Sequence, residues 1–202
     1  MNDLAPINEV AEEDSQRADL YGFLAALLAN PPDHILLARC ADLSGDKTDL
    51  GRSITALATL AGAATPGSAE REFNDLFIGL GRGEVLPYAS YYLTGFLNEK
   101  PLAILRRDMA TQGIARAENV FEPEDNIASL MEMMAGLIIG RFGPPAPLSR
   151  QREFFNRHIA PWAGHFFADL EAAKGSVFYA PVGAIGRHFM GIEKEAFRLS
   201  GA

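Results

Sequence analysis

Apolar residues recur at helical spacing along nearly all of this chain, and no segment alternates apolar with polar residues as a half-buried strand would. That confines the fold to packed helices, with stops at proline and glycine. A first helix is expected from about Ser15, with Leu20, Tyr21, Leu24, Leu27 and Leu28 on one side, ended by Asn30-Pro31-Pro32. Asp33 caps a short helix bearing Ile35, Leu36 and Leu37. Asp49 to Gly62 brings Ile54, Leu57 and Leu60 together, and Thr65-Pro66-Gly67 closes that unit. Ser68 is placed to cap a helix carrying Phe73, Leu76 and Phe77, and Pro101 opens another through Leu102, Leu105 and Met109. Glu122 is expected to begin the longest helix, with Ile127, Met131, Met134 and Ile138 at helical spacing. Beyond Gly143-Pro144-Pro145 come Ser149 to His158, Trp162 to Ala173 and Ser176 to Leu199, the last weakened in its middle by Pro181 and several glycines. The expectation is about eight to ten helices in one all-α, single-domain multi-helix bundle over residues 1–202.

With 202 residues, 48% of them hydrophobic, the chain has enough apolar side chains to fold unaided. A formal net charge of −8 and the lack of a Lys/Arg stripe argue against nucleic acid as a partner. Cys40 is the single cysteine, so neither an internal disulfide framework nor a Cys-Cys metal motif is available, and it reads as buried filler in a reducing cytoplasm. Met1 to Asp14 is acidic and does not read as a secretory signal. The longest apolar segments, such as Leu20 to Ala29 and Met133 to Ile139, fall short of the ~20 residues of a membrane span. A soluble cytoplasmic protein without stable membrane insertion is expected.

Two blocks carry the functional signal. In the first, the helix of Phe73, Leu76 and Phe77 is broken by Gly79, Gly81 and Gly83, and Pro87, Tyr88, Ser90 and Tyr92 follow on a segment with few helix-forming signals. Such loops carry recognition more often than packing. In the second, Glu122-Pro123-Glu124-Asp125-Asn126-Ile127 reads as a helix start, with Asp125 where the positive end of the helix dipole favours a carboxylate. An aromatic loop beside an anchored acid suits a basic peptide, which points to a binding protein; no catalytic residue, metal or cofactor is expected.

These residues resemble the TorD/DmsD family of cytoplasmic redox-enzyme maturation chaperones over nearly the whole chain. Arg17-Ala-Asp-Leu-Tyr21 leading to Pro31-Pro32-Asp33 is similar to the family's first helix and its stop. Leu76-Phe77-Ile-Gly79-Leu-Gly81 followed by Pro87-Tyr88-Ala-Ser90-Tyr-Tyr92 resembles its central loop. Glu122-Pro123-Glu124-Asp125-Asn126 resembles its Glu-Pro-x-Asp-His signature, with Glu132, Met133 and Met134 following at the family's spacing, and Gln151, Phe155, His158, Trp162 and Phe166 match a looser carboxy-terminal pattern. Asn126 stands where the family has histidine and Leu130 where an acid is common, departures that bear on client choice and pH response. The resemblance implies a TorD-like helical fold that binds the twin-arginine leader of a molybdopterin oxidoreductase and holds the apo enzyme until cofactor insertion, before export. It is compatible with a monomer or a helix-exchanged dimer.

The implied peptide site comprises Phe73, Leu76, Phe77, Pro87, Tyr88, Ser90, Tyr92, Glu122, Asp125 and Asn126. Asp125 would meet a leader arginine and Tyr88 would line the apolar groove. Taken alone, Phe73, Leu76 and Phe77 read as core and Asp125 as a helix-dipole partner. Two alternatives come from other classes. The Gly79-to-Gly83 loop could serve a GTPase-like nucleotide enzyme, although no strand or Walker lysine accompanies it, or the chain could be a non-catalytic structural subunit. His158 and His165 read as packing histidines rather than metal ligands.

Overall fold

The computed structural model describes residues 10–116 and 120–200. Among these are ten α-helices, two five-residue π-helical turns and no named strand. α1 (Glu12–Ala29) and α2 (His34–Ala41) are separated by the Pro31-Pro32 stop, and Asp33 caps α2 by accepting the Leu36 N–H at 2.8 Å. α3 (Asp49–Ala63) is capped by Thr48. At α4 (Pro66–Phe73) the cap is Thr65 rather than Ser68, and the two residues form a reciprocal capping box. α4 runs into a π-helical turn at Asn74–Ile78, after which come α5 (Ala89–Thr94) and α6 (Lys100–Thr111). α7 (Ile127–Ile139) is followed by α8 (Leu148–Phe154) with a second π-helical turn at Phe155–Ile159, then α9 (Ala163–Ala172) and α10 (Tyr179–Leu199).

Two of these elements correct the sequence reading. The helix expected from Glu122 opens at Ile127, with Asn126 as its cap, because residues 123–126 form a turn in which the Asn126 N–H donates to the Pro123 carbonyl at 3.1 Å. The longest helix is α10, at 21 residues. Pro181 lies in its first turn, where no intrahelical donor is lost. Gly183 and Gly186 do not weaken its middle but let it approach α9: a Cβ would fall 2.5 Å from the Glu171 nitrogen at the first and 2.2 Å from the Phe167 ring at the second.

α7 is the central helix, buried along most of its length and packed against α1, while α10 packs on α9 and α3. One cluster of buried side chains runs from Ala18 to Phe197, with Trp162, Tyr21 and Tyr179 fully inside. Leu130 belongs to it, so an acid at that position would need a partner within the core. The Arg17-to-Tyr21 motif serves packing too. Arg17 forks onto buried Glu193 through two hydrogen bonds of 2.8 Å, and the Tyr21 hydroxyl donates to the same carboxylate, tying α1 to α10. Cys40 is buried as expected, and burial pushes its thiol up to about 11.

No helix among the described residues is long and apolar enough to cross a membrane, and they contain no group of three or more side chains placed to hold a metal ion. His158 and His165 lie on separate elements. His158 is buried beside Asp108, its Nε2 2.7 Å from the carboxylate.

Candidate peptide groove

A groove opens between α1 and α7 because both helices carry small residues where larger ones would fill it. On α1, Gly22, Ala25, Ala26 and Ala29 recur at steps of three and four and share one face; on α7, Ala128 and Ala135 stand two turns apart on one face, with Glu132 between them. Phe73 and Phe77 form a further wall, their rings edge-on with centroids 4.9 Å apart, and Tyr88, Phe121 and Glu122 complete the rim. Its volume is about 850 Å³, within the range of ligand-binding clefts. Its charged lining, among the described residues, is Glu122, Glu132 and Arg141.

The two sequence blocks meet at this groove. Tyr88 and Asn126 form an isolated antiparallel bridge: the Ala89 N–H donates to the Asp125 carbonyl at 3.0 Å and the Ile127 N–H to the Pro87 carbonyl at 2.8 Å. Tyr88 then donates its hydroxyl to Glu122. Burial, and after it that carboxylate, pushes the Tyr88 ionisation well above the ordinary tyrosine value, so the hydroxyl stays a donor. Asn126 accepts the Ala128 N–H at 2.9 Å, which caps α7 at the edge of the groove.

Asp125 goes elsewhere. It is 1% exposed, and its Oδ2 accepts the Ser90 N–H at 2.8 Å as well as the Ser90 hydroxyl. It thereby caps α5, whose own preceding residue, Tyr88, provides no side-chain cap. Asp125 does not line the groove; it borders a separate cavity of about 130 Å³ with Leu93, Leu105 and Leu130. Glu124, also buried, accepts two hydrogen bonds from Arg106 at 2.8 and 3.0 Å, with Arg116 3.7 Å away. Burial disfavours its charge, but those arginines outweigh it and hold the carboxyl below the usual glutamate value.

Of the residues expected at the site, Phe73, Phe77, Tyr88, Glu122 and Asn126 line the groove. Leu76 and Ser90 are fully buried and Pro87 is buried in the bridge, so none of these reaches it. Tyr92 is half-buried against Trp162 and donates to Asp169 at 2.8 Å, also outside the groove. Sequence reasoning missed the small residues of α1 and α7, for which the only signal was alanine and glycine recurring at helical spacing.

The glycine loop is a reversal. Gly79 and Gly81 adopt positive φ, and the N–H groups of Gly79, Glu84 and Val85 donate back to the carbonyls of Asn74, Asp75 and Leu76. Of these donors Gly79 belongs to the loop itself, and its N–H is taken by Asn74 rather than held open for a phosphate.

Comparison with known proteins agrees with this architecture. The family model described as nitrate reductase delta subunit matches residues 44–168. A chaperone protein TorD from Aliivibrio fischeri is 30% identical over 183 residues, covering 79% of this chain and 84% of the relative. A second, from Vibrio atlanticus, is 27% identical and covers 92% of this chain and 93% of the relative. The crystal structure of a protein described as a redox enzyme maturation protein from Archaeoglobus fulgidus superposes with a TM-score of 0.57 at 21% identity, over 87% of this chain and 93% of that one, and so shares the fold. On the matched helical core and the relatives that align along most of its length, this chain belongs to the TorD family of redox-enzyme maturation chaperones, whose role is non-enzymatic.

Proposed function

We propose that the groove between α1 and α7 receives the twin-arginine leader of a molybdopterin oxidoreductase, and that the chaperone holds the apo enzyme there in the cytoplasm until its cofactor is inserted. The observation that carries this reading is the groove itself, about 850 Å³ with apolar walls and carboxylates at Glu122 and Glu132. Leaders of this class join paired arginines to an apolar run, so both halves find a complement: Phe73, Phe77 and the α1 alanines for the apolar part, the two acids for the cations. Nothing in the arrangement needs a nucleophile or a general base, because holding a leader is a binding task. Release follows from the modest strength of contacts between exposed charges.

The test is to fill the groove without touching the core. Ala26 is exposed on α1 and lines the groove, so Ala26→Trp places an indole in the cleft. A synthetic peptide with two adjacent arginines followed by a run of leucines and alanines is titrated calorimetrically into both proteins. Micromolar binding to the wild type, with at least a tenfold loss in Ala26→Trp at unchanged helical circular dichroism, supports the reading (tenfold being about 1.4 kcal/mol). Equal affinity for both proteins refutes it.

A further inference from the structure

We infer that Glu132 is a receptor for one of the leader's arginines and that Arg141 occupies this carboxylate in the free protein, as an internal stand-in that an incoming guanidinium must displace. The inference rests on the groove reading above and adds two residues to it. Both line the groove, and the Arg141 Nη1 donates to the Glu132 Oε1 at 3.0 Å.

The pair is nine residues apart, beyond the one-turn reach of neighbouring side chains on a helix. It forms because the chain reverses at the end of α7. Gly140 takes φ +78°, the Arg141 N–H donates to the Gly136 carbonyl at 2.8 Å and the Ala146 N–H donates to the Leu137 carbonyl at 2.8 Å. The Phe142 ring lies against Gly136 so closely that a Cβ there would fall 2.4 Å from it. The turn thus fixes the Arg141 backbone beside α7 while leaving its side chain at the groove.

Two features make the contact exchangeable. The side chains are 49% and 65% exposed, and an ion pair so open to water is weak. It also consists of a single hydrogen bond, whereas a guanidinium arriving in the plane of the carboxylate makes two. A ligand with an arginine in register therefore gains more from Glu132 than Arg141 gives up, and a ligand without one leaves the internal pair in place. Arg141 acts in this way as an internal competitor that lowers the affinity for arginine-bearing peptides and leaves that for merely apolar ones unchanged.

The two-arginine peptide and a counterpart with both arginines replaced by glutamine are titrated at low salt into wild type, Arg141→Gln, Glu132→Gln and the double variant. Arg198→Gln makes the same charge change on α10, outside the groove. Arg141→Gln is expected to tighten the two-arginine peptide about two- to fivefold. That gain disappears in the Glu132→Gln background, with the glutamine peptide, and in Arg198→Gln. A wild type that binds while Arg141→Gln gives no gain, or a gain that survives Glu132→Gln or is matched by Arg198→Gln, overturns the inference and leaves the groove reading standing. A folded wild type that binds neither peptide removes both.

Discussion

Glu122 and Asp125 stand three residues apart and both reach the segment 88–90, yet their carboxylates end in opposite environments. Glu122 is exposed at the groove rim, bonded to the Tyr88 hydroxyl. Asp125 is buried, bonded to the backbone and hydroxyl of Ser90. The bridge between Tyr88 and Asn126 is the divide. A side chain on its solvent side can give its charge to a ligand, whereas one on its inner side uses its charge to hold the loop that borders the groove. Within a single motif, then, one acid is suited to recognition and another to positioning.

The comparison breaks most visibly on stability. Asp125→Ala strands the Ser90 N–H and hydroxyl in a buried setting and removes the cap of α5, so unfolding in urea should show a loss of about 3 kcal/mol. A variant as stable as wild type would mean that Asp125 does not hold this loop. On the groove side the expected effect falls on binding. Tyr88→Ala should weaken the two-arginine peptide by about 1–3 kcal/mol while the helical signal stays the same; a matching loss of helicity would assign Tyr88 to the core instead.

Glu124 sharpens the contrast through pH. Its folded-state pKa is depressed, burial being outweighed by Arg106, so its contribution to stability is present above the ordinary glutamate range and is lost as the pH falls through its lowered value. Denaturation midpoints measured on acidification should therefore fall less steeply in Glu124→Gln than in wild type. The difference is about 1 kcal/mol, limited by the half-exposed Arg106. Parallel acid limbs would remove Glu124 from the account.

What the sequence revealed and what it hid divide along the same physical line. Helices and their stops were legible because Leu20 to Leu28 and Leu102 to Met109 repeat at helical spacing and Pro31, Thr65 and Gly143 mark local breaks. The two blocks were legible as neighbours, and five of the residues expected at the site line the groove where they meet. The start of α7 was not, because Pro123 beside two acids imitates a helix opening, and only the contact with Pro87, 40 positions away in the chain, shows it to be a turn. The fate of Asp125 is decided 35 residues away by Ser90, which no local pattern reports. α10 hides a similar arrangement: Glu72, more than a hundred residues upstream, accepts the N–H groups of Val177, Phe178 and Tyr179 at its start. The groove itself is made by what Gly22, Ala26 and Ala135 lack, and small side chains leave a weak trace in a pattern of hydrophobicity.

The most direct test of the central claim is a calorimetric double-mutant cycle that pairs the two-arginine peptide and its glutamine counterpart with wild type, Glu122→Gln and Asp125→Asn. The groove account predicts that Glu122→Gln costs about 1 kcal/mol with the arginine peptide and little with the glutamine one, a coupling typical of an exposed charge-assisted contact. Asp125→Asn should change both peptides alike, through folding alone. An arginine-specific penalty at Asp125 with none at Glu122 would contradict the account and return the site to the inner side of the bridge.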